Sequence, residues 1–219
     1  MDINLPISGL NIRPGKVLCI GRNYAAHAAE MQSAIPVAPV IFLKPPTALI
    51  GNGGEVLLPS ASREVHHEVE LVVLIGKKGK NIPVSDAMKH VEGYALGIDM
   101  TARDLQAEAK RNGLPWSVAK GFDTFAPLGA FTSARDISDP RRLGISLHVN
   151  GVMRQQGSVS RMVFGVDELV AYASSIFTLM PGDLMYTGTP EGVAAVEDGD
   201  RLVARGTGLQ DLTVDVRRL

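Results

Sequence analysis

The run His66-His67-Glu68-Val69-Glu70-Leu71-Val72-Val73-Leu74-Ile75 constrains this chain more than any other segment. From Leu71 onward it is apolar without alternation, so a strand here must enter a core that covers both of its faces. Glu68 and Glu70 stand at the mouth of that strand, and a side-chain period of two points them to the same face. Like charges held that close raise each other's pKa unless a cation lies between them, and a divalent metal is the simplest cation to supply. A solvated strand face on which two glutamates alternate would look the same in isolation. The segment Gly93-Tyr94-Ala95-Leu96-Gly97-Ile98-Asp99 weighs against that, because it is a second small-and-apolar strand ending on a carboxylate. Three carboxylates with no cysteine nearby suit a hard ion, Mg²⁺ or Mn²⁺. Zinc would more usually recruit Cys or His, which keeps His66 and His67 in view as ligands beside their plainer reading as polar residues leading into a strand.

Further β-branched runs at 17–20, 40–43, 146–149 and 212–216 recur among 23 glycines and 13 prolines, a spacing that predicts many short strands. Asn150-Gly151 predicts a two-residue hairpin turn, since both residues tolerate positive φ. Helices are expected at 23–31, 84–91, 101–112 and 167–177, the last with a stripe of Leu169, Val170, Ala173 and Ile176. The expected class is therefore mostly β with peripheral short helices (α+β). With 219 residues, no repeat and no linker, one domain over 1–219 is expected. The segments 33–39 and 113–115 read as surface loops.

A net charge of −1 provides no field for a polyanion or an anionic bilayer, so neither nucleic acid nor membrane is an expected partner. The only cysteine, Cys19, lies in an apolar run and reads as a buried small hydrophobe. That suits a reducing compartment, and the opening residues resemble neither a secretory signal nor an Arg-rich transit peptide, so a cytoplasmic protein is expected.

Other residues carry chemistry. His27 and Glu30 fall at i and i+3 on a predicted helix, where the carboxylate could fix one imidazole tautomer and make a general base. Lys120 is flanked by aromatic and apolar residues and needs an anion, either a substrate oxygen or Asp123. The helix after Asp99 carries Arg103 and Gln106, and the Gly-rich turn around Thr189 offers hydroxyls and amides as a carboxylate clamp.

Six motifs in order, GRNYAAHAAE at 21–30, FLKP at 42–45, HHEVEL at 66–71, GIDMTARDLQ at 97–106, WSVAKGFD at 116–123 and TGTPEGV at 187–193, resemble the fumarylacetoacetate hydrolase family. The resemblance implies a mixed β-sandwich roll, a homodimer, and Mg²⁺ or Mn²⁺ held by Glu68, Glu70 and Asp99. It implies a water-activating pair at His27 and Glu30, an active-site lysine at Lys120, and substrate anchors at Arg22, Arg103, Gln106 and Thr189. The implied substrate is a small 2-oxo acid. The implied reaction is hydrolysis of an acylpyruvate, such as fumarylpyruvate or acetylpyruvate, through a metal-stabilised enolate. Decarboxylation or tautomerisation of oxaloacetate, or a decarboxylase/isomerase step in aromatic degradation, is the alternative within the family. A non-catalytic protein binding a metal or organic acid is the alternative outside it.

Overall fold

The computed structural model describes residues 5–7, 10–12 and 14–218. Strand Val69–Ile75 is buried at every residue and lies third in a six-stranded sheet ordered Thr132–Ser133, Val91–Ile98, Val69–Ile75, Leu184–Tyr186, Val17–Gly21, Val40–Lys44. Its odd side chains, Val69, Leu71, Val73 and Ile75, enter a core that also takes Ile145, Leu147, Leu202, Ala204, Val214 and Val216. Those six come from a second sheet of five strands, ordered Val152–Ser158, Gly144–Val149, Arg201–Gly206, Leu212–Arg218, Glu55–Leu58. The even side chains Val72 and Leu74 enter a separate core with Val17, Cys19, Leu49, Ala95, Ala126 and Tyr186. The unbroken apolar run is thus explained by burial on both faces, each well-packed Val or Leu contributing about 1.5–3 kcal/mol.

Pairing is mixed: Leu184–Tyr186 runs antiparallel to Val69–Ile75 and parallel to Val17–Gly21. The antiparallel register that sets Val69 opposite Ile98 also sets Glu70 opposite Gly97 and brings Asp99 beside Glu68, whose carbonyl accepts the Asp99 N–H at 2.8 Å. A small sheet ordered Thr101–Ala102, Val65–His67, Ala194–Ala195 then gathers the segments that follow Asp99 and the Gly-rich turn at the same end.

The helices among the described residues are few and short: Ala25–Glu30, Val84–Ala87, Arg103–Arg111, Ser117–Lys120 and Val166–Ile176. Three details differ from the sequence expectation. The helix expected at 84–91 stops at Ala87 and tightens into a 3₁₀ turn, because Val91 already begins a sheet strand. Thr101 and Ala102 pair with His66 and Val65, so the next helix starts at Arg103. Leu169, Val170 and Ala173 are buried, but Ile176 is 49% exposed at the helix end. The hairpin forms as expected, with Val149 opposite Val152 and φ of 53° at Asn150 and 81° at Gly151. No helix among the described residues is long and apolar enough to cross a membrane.

Candidate active site

Glu68, Glu70 and Asp99 are all buried, and each offers an oxygen within 4.8 Å of the others. Three buried anions require compensation, and the chain supplies it with cations that are buried too. Lys120 ends the short helix Ser117–Lys120 and places its Nζ 2.9 Å from Glu68 Oε2, 2.6 Å from Asp99 Oδ2 and 4.9 Å over the Phe42 ring. Burial pushes its pKa down, but Asp99 and Glu68 more than offset that and hold it above the usual lysine value. Asp123, the other partner considered for Lys120, is exposed and takes no part. Arg103, first residue of its helix, donates to Glu68 Oε1, to Gln106 Oε1 at 2.7 Å and to His66 Nδ1 at 3.3 Å.

Lys44 is a component the sequence reading did not assign. Its Nζ is fully buried, donates to the carbonyls of Met100, Lys120 and Phe125, and lies 2.7 Å from Asp99 Oδ1. With its three protons directed at carbonyls, its interaction with Asp99 is charge to charge, and Asp99 Oδ1 accepts no hydrogen bond. The available signal was a lysine closing the β-branched run Val40-Ile41-Phe42-Leu43 immediately before two prolines.

The two nearby glutamates are driven apart electrostatically. Burial pushes Glu68 up, but Lys120 and Arg103 outweigh it and hold the carboxyl well below its ordinary value. Glu70 is raised well above its ordinary value by burial and by the charges of Asp99 and Glu68. Its Oε2 accepts the Gly188 N–H at 2.7 Å. Gly188 has φ +100°, and a Cβ there would come 2.7 Å from the Asn23 Cβ, so glycine is what lets this amide reach the carboxylate. An orphaned buried carboxylate oxygen, a glutamate that lacks a close cation, and an all-oxygen donor set fit a hard divalent ion. His66 and His67 do not join this set. His66 bonds Glu64 and Arg103, and His67 Nδ1 bonds Gln155 Oε1 at 2.9 Å.

His27 and Glu30 lie on the helix Ala25–Glu30, with His27 Nδ1 3.2 Å from Glu30 Oε2. Glu30 Oε1 also accepts the Gly192 N–H at 3.0 Å. The Gly-rich turn therefore does clamp carboxylates, but those of Glu70 and Glu30 in this chain. Asn23, also unassigned by the sequence reading, bonds the carbonyls of Thr187 and Phe164 and the Phe164 N–H, and so ties the helix entry to that turn.

One cavity is lined by Arg22, His27, Glu68, Glu70, Arg103, Gln106, Lys120 and Thr189, with Glu30 and Asp99 supporting from behind. Its rim adds Lys110 and Trp116, the Lys110 Nζ standing 5.4 Å over the indole. Lys110 is exposed and forms no ion pair among the described residues, and partial desolvation of its ammonium with the charges of Arg103 and Arg22 pulls its pKa down. Arg22 holds a left-handed φ of 59°, and its buried Nε has no partner. Among the described residues these two cations have no protein anion, and they line space that a ligand would fill.

Comparison with known proteins points the same way. The family model described as fumarylacetoacetate (FAA) hydrolase C-terminal matches residues 16–217. The mitochondrial oxaloacetate tautomerase FAHD1 of Arabidopsis thaliana is 49% identical over 93% of this chain and 91% of its own length. An uncharacterised protein of Pyrococcus horikoshii is 50% identical over 94% of this chain and 90% of its own. The crystal structure of fumarylpyruvate hydrolase from Pseudomonas aeruginosa in complex with Mn²⁺ and pyruvate superposes with a TM-score of 0.95 at 42% identity, covering 100% of this chain and 97% of that one.

Proposed function

The chain belongs to the fumarylacetoacetate hydrolase family, and on that premise we propose that it hydrolyses the C–C bond of an acylpyruvate, giving pyruvate and a carboxylic acid. The observation that carries this reading is His27, backed by Glu30, lining the same cavity as Glu68, Glu70 and Lys120. Binding alone requires no such base. Mg²⁺ or Mn²⁺ on Glu68, Glu70 and Asp99 would polarise the 2-oxo group and stabilise the enolate charge.

The rest is the work of the chain's own side chains. Glu30 accepts from His27 Nδ1, which leaves Nε2 as the basic nitrogen for a water in the cavity. His27 takes one proton from that water as its oxygen attacks the distal carbonyl. The C–C bond then breaks, its electron pair remains on the pyruvyl fragment, and the imidazolium returns the proton. Lys120 and Arg103 place positive charge beside the Glu68 edge of the cavity, where the enolate oxygen develops. Arg22 and Lys110 favour a substrate with a second, distal carboxylate, such as fumarylpyruvate, over one with a neutral tail such as acetylpyruvate.

The same site without the water step would tautomerise or decarboxylate oxaloacetate, a reading favoured by the 49% identity to a named oxaloacetate tautomerase. The test is turnover by metal-stripped protein, with and without Mg²⁺ or Mn²⁺, on acetylpyruvate, fumarylpyruvate and oxaloacetate. Metal-dependent release of pyruvate from fumarylpyruvate is expected. Loss of oxaloacetate alone would make it a tautomerase or decarboxylase, and tight pyruvate binding with no turnover of any substrate would make it a binding protein.

The reading extends to a cytoplasmic homodimer acting as one catalytic domain per chain. The edge strand Val40–Lys44 borders a groove of about 570 Å³ lined by Phe42, Leu43, Leu114 and Ile176, an apolar face suited to a second copy. Light scattering on the eluted protein would show a mass twice that of the chain.

A further inference from the structure

Gln155 lies in the hairpin strand Val152–Ser158 beside exposed residues, yet is itself 1% exposed. A buried amide at a position that an apolar side chain would fill more cheaply must use its polar atoms, and this one uses all four of its hydrogen-bonding slots. Its Oε1 accepts the Val69 N–H at 3.0 Å and meets His67 Nδ1 at 2.9 Å. Its Nε2 donates to the Pro190 carbonyl at 2.9 Å and to Thr189 Oγ1 at 2.8 Å.

Two of those partners are main-chain groups that cannot exchange roles. The Val69 amide can only donate and the Pro190 carbonyl can only accept, so the orientation of the Gln155 amide is fixed. A flipped amide would set N–H against N–H and C=O against C=O in a buried site. Two consequences follow. His67 must carry its proton on Nδ1, and its buried Nε2, which has no partner, holds the lone pair. Thr189 Oγ1 must accept from Gln155, so its own proton remains to be given elsewhere. Among the described residues that proton has no acceptor, and Thr189 lines the cavity that holds Glu68, Lys120 and His27.

We propose that Gln155 is a positioning residue that commits the Thr189 hydroxyl to donate its proton to an anionic oxygen of the ligand, selecting a carboxylate or enolate oxygen at that point of the cavity. The proposal rests on the 2-oxo acid reading of the site. Without Gln155 the freed Pro190 carbonyl competes for the Thr189 proton, and the ligand loses its donor.

The test is a double-mutant cycle read by calorimetric titration of the Mn²⁺-loaded protein with pyruvate and with oxalate. Gln155→Met and Thr189→Val are each expected to weaken pyruvate about tenfold, the scale of one hydrogen bond to a charged acceptor. The double variant is expected to be no weaker than Thr189→Val alone, and Thr189→Ser to stay within about threefold of wild type. Mn²⁺ affinity, measured separately, is expected to stay within about twofold in Gln155→Met. Losses that multiply in the double variant, or a parallel loss of Mn²⁺ affinity, would assign Gln155 a merely structural role and overturn the proposal. A second readout needs no variant: ¹⁵N shifts of His67 in the wild type are expected to report the Nδ1–H tautomer, and the opposite tautomer would refute the amide orientation. Wild-type protein that bound neither anion while showing the Nδ1–H tautomer would overturn the functional reading and the proposal's ligand with it.

Discussion

Replacing Lys44 by methionine keeps the length of the side chain and removes its charge and all three donors. The ammonium lies 2.7 Å from Asp99 Oδ1, with both side chains at most 1% exposed. Breaking a buried ion pair by removing one partner costs about 3–5 kcal/mol. The carbonyls of Met100, Lys120 and Phe125 also lose their donor, which raises the cost wherever water does not replace it. Because Lys120 still stands 2.6 Å from Asp99 Oδ2, the low end of that range, about 3 kcal/mol, is the working figure, and at 2–4 °C per kcal/mol for a chain of roughly this size it lowers Tm by about 6–12 °C. The ion-pair part should respond to divalent metal, because a cation among Glu68, Glu70 and Asp99 compensates Asp99 in place of Lys44. The carbonyl part should not. Calorimetric melts of wild type and Lys44→Met, each metal-stripped and Mn²⁺-saturated, separate the two. A metal-free Tm within about 3 °C of wild type, or a gap that Mn²⁺ leaves unchanged, would refute this account of the lysine.

Glu68→Gln is expected to weaken Mn²⁺ binding at least about a hundredfold by titration calorimetry and to abolish turnover, since it removes one of three charged ligands. His27→Ala should remove acylpyruvate hydrolysis while sparing part of any oxaloacetate decarboxylation, measured as pyruvate release; full hydrolysis in that variant would exclude His27 as the base. Lys110→Met should raise KM for fumarylpyruvate about tenfold and leave acetylpyruvate nearly unchanged, and equal effects on both would detach Lys110 from a distal carboxylate. Asn150→Ala leaves φ 53° to a residue without the polar side chain that makes asparagine tolerant of it, and removes bonds to Asp200 and the Arg201 N–H. It should cost about 1–2 kcal/mol in denaturant unfolding with turnover intact.

What could be read from the sequence follows from how local the signal was. The i and i+3 spacing of His27 and Glu30 and the positive-φ pair at Asn150-Gly151 are each encoded within a few residues, and each forms as expected; Glu68 and Glu70 also converge, but Glu68 lies at the break between strands Val65–His67 and Val69–Ile75 and not on one continuous strand with Glu70. Contacts made across the chain were not legible. Lys120 was seen to need an anion, but only the pairing of strands Val69–Ile75 and Val91–Ile98 shows that Glu68 and Asp99 supply it. Lys44 sits at the end of a strand whose antiparallel partner begins at Val17, and nothing near it in sequence names Asp99. Gln155 stands in a hairpin strand among exposed neighbours, and nothing local marks it as buried. Helix ends moved wherever a sheet claimed the residue, as at Thr101 and Val91.

The Gly-rich turn has a consequence for how the protein is made. Gly188 reaches back 118 positions to Glu70, Gly192 reaches back 162 to Glu30, and Thr187 reaches back 116 to Leu71. Ribosomal synthesis delivers His27, Glu30, Glu68 and Glu70 long before these partners, at about 5–20 residues per second. For those seconds the nascent chain carries buried-type acids with no turn to anchor them, and a product interrupted before residue 188 has the reactive groups without the frame that aligns them. Assembly of the site is therefore a late event of biogenesis, coupled to closure of the whole sheet by Leu184–Tyr186.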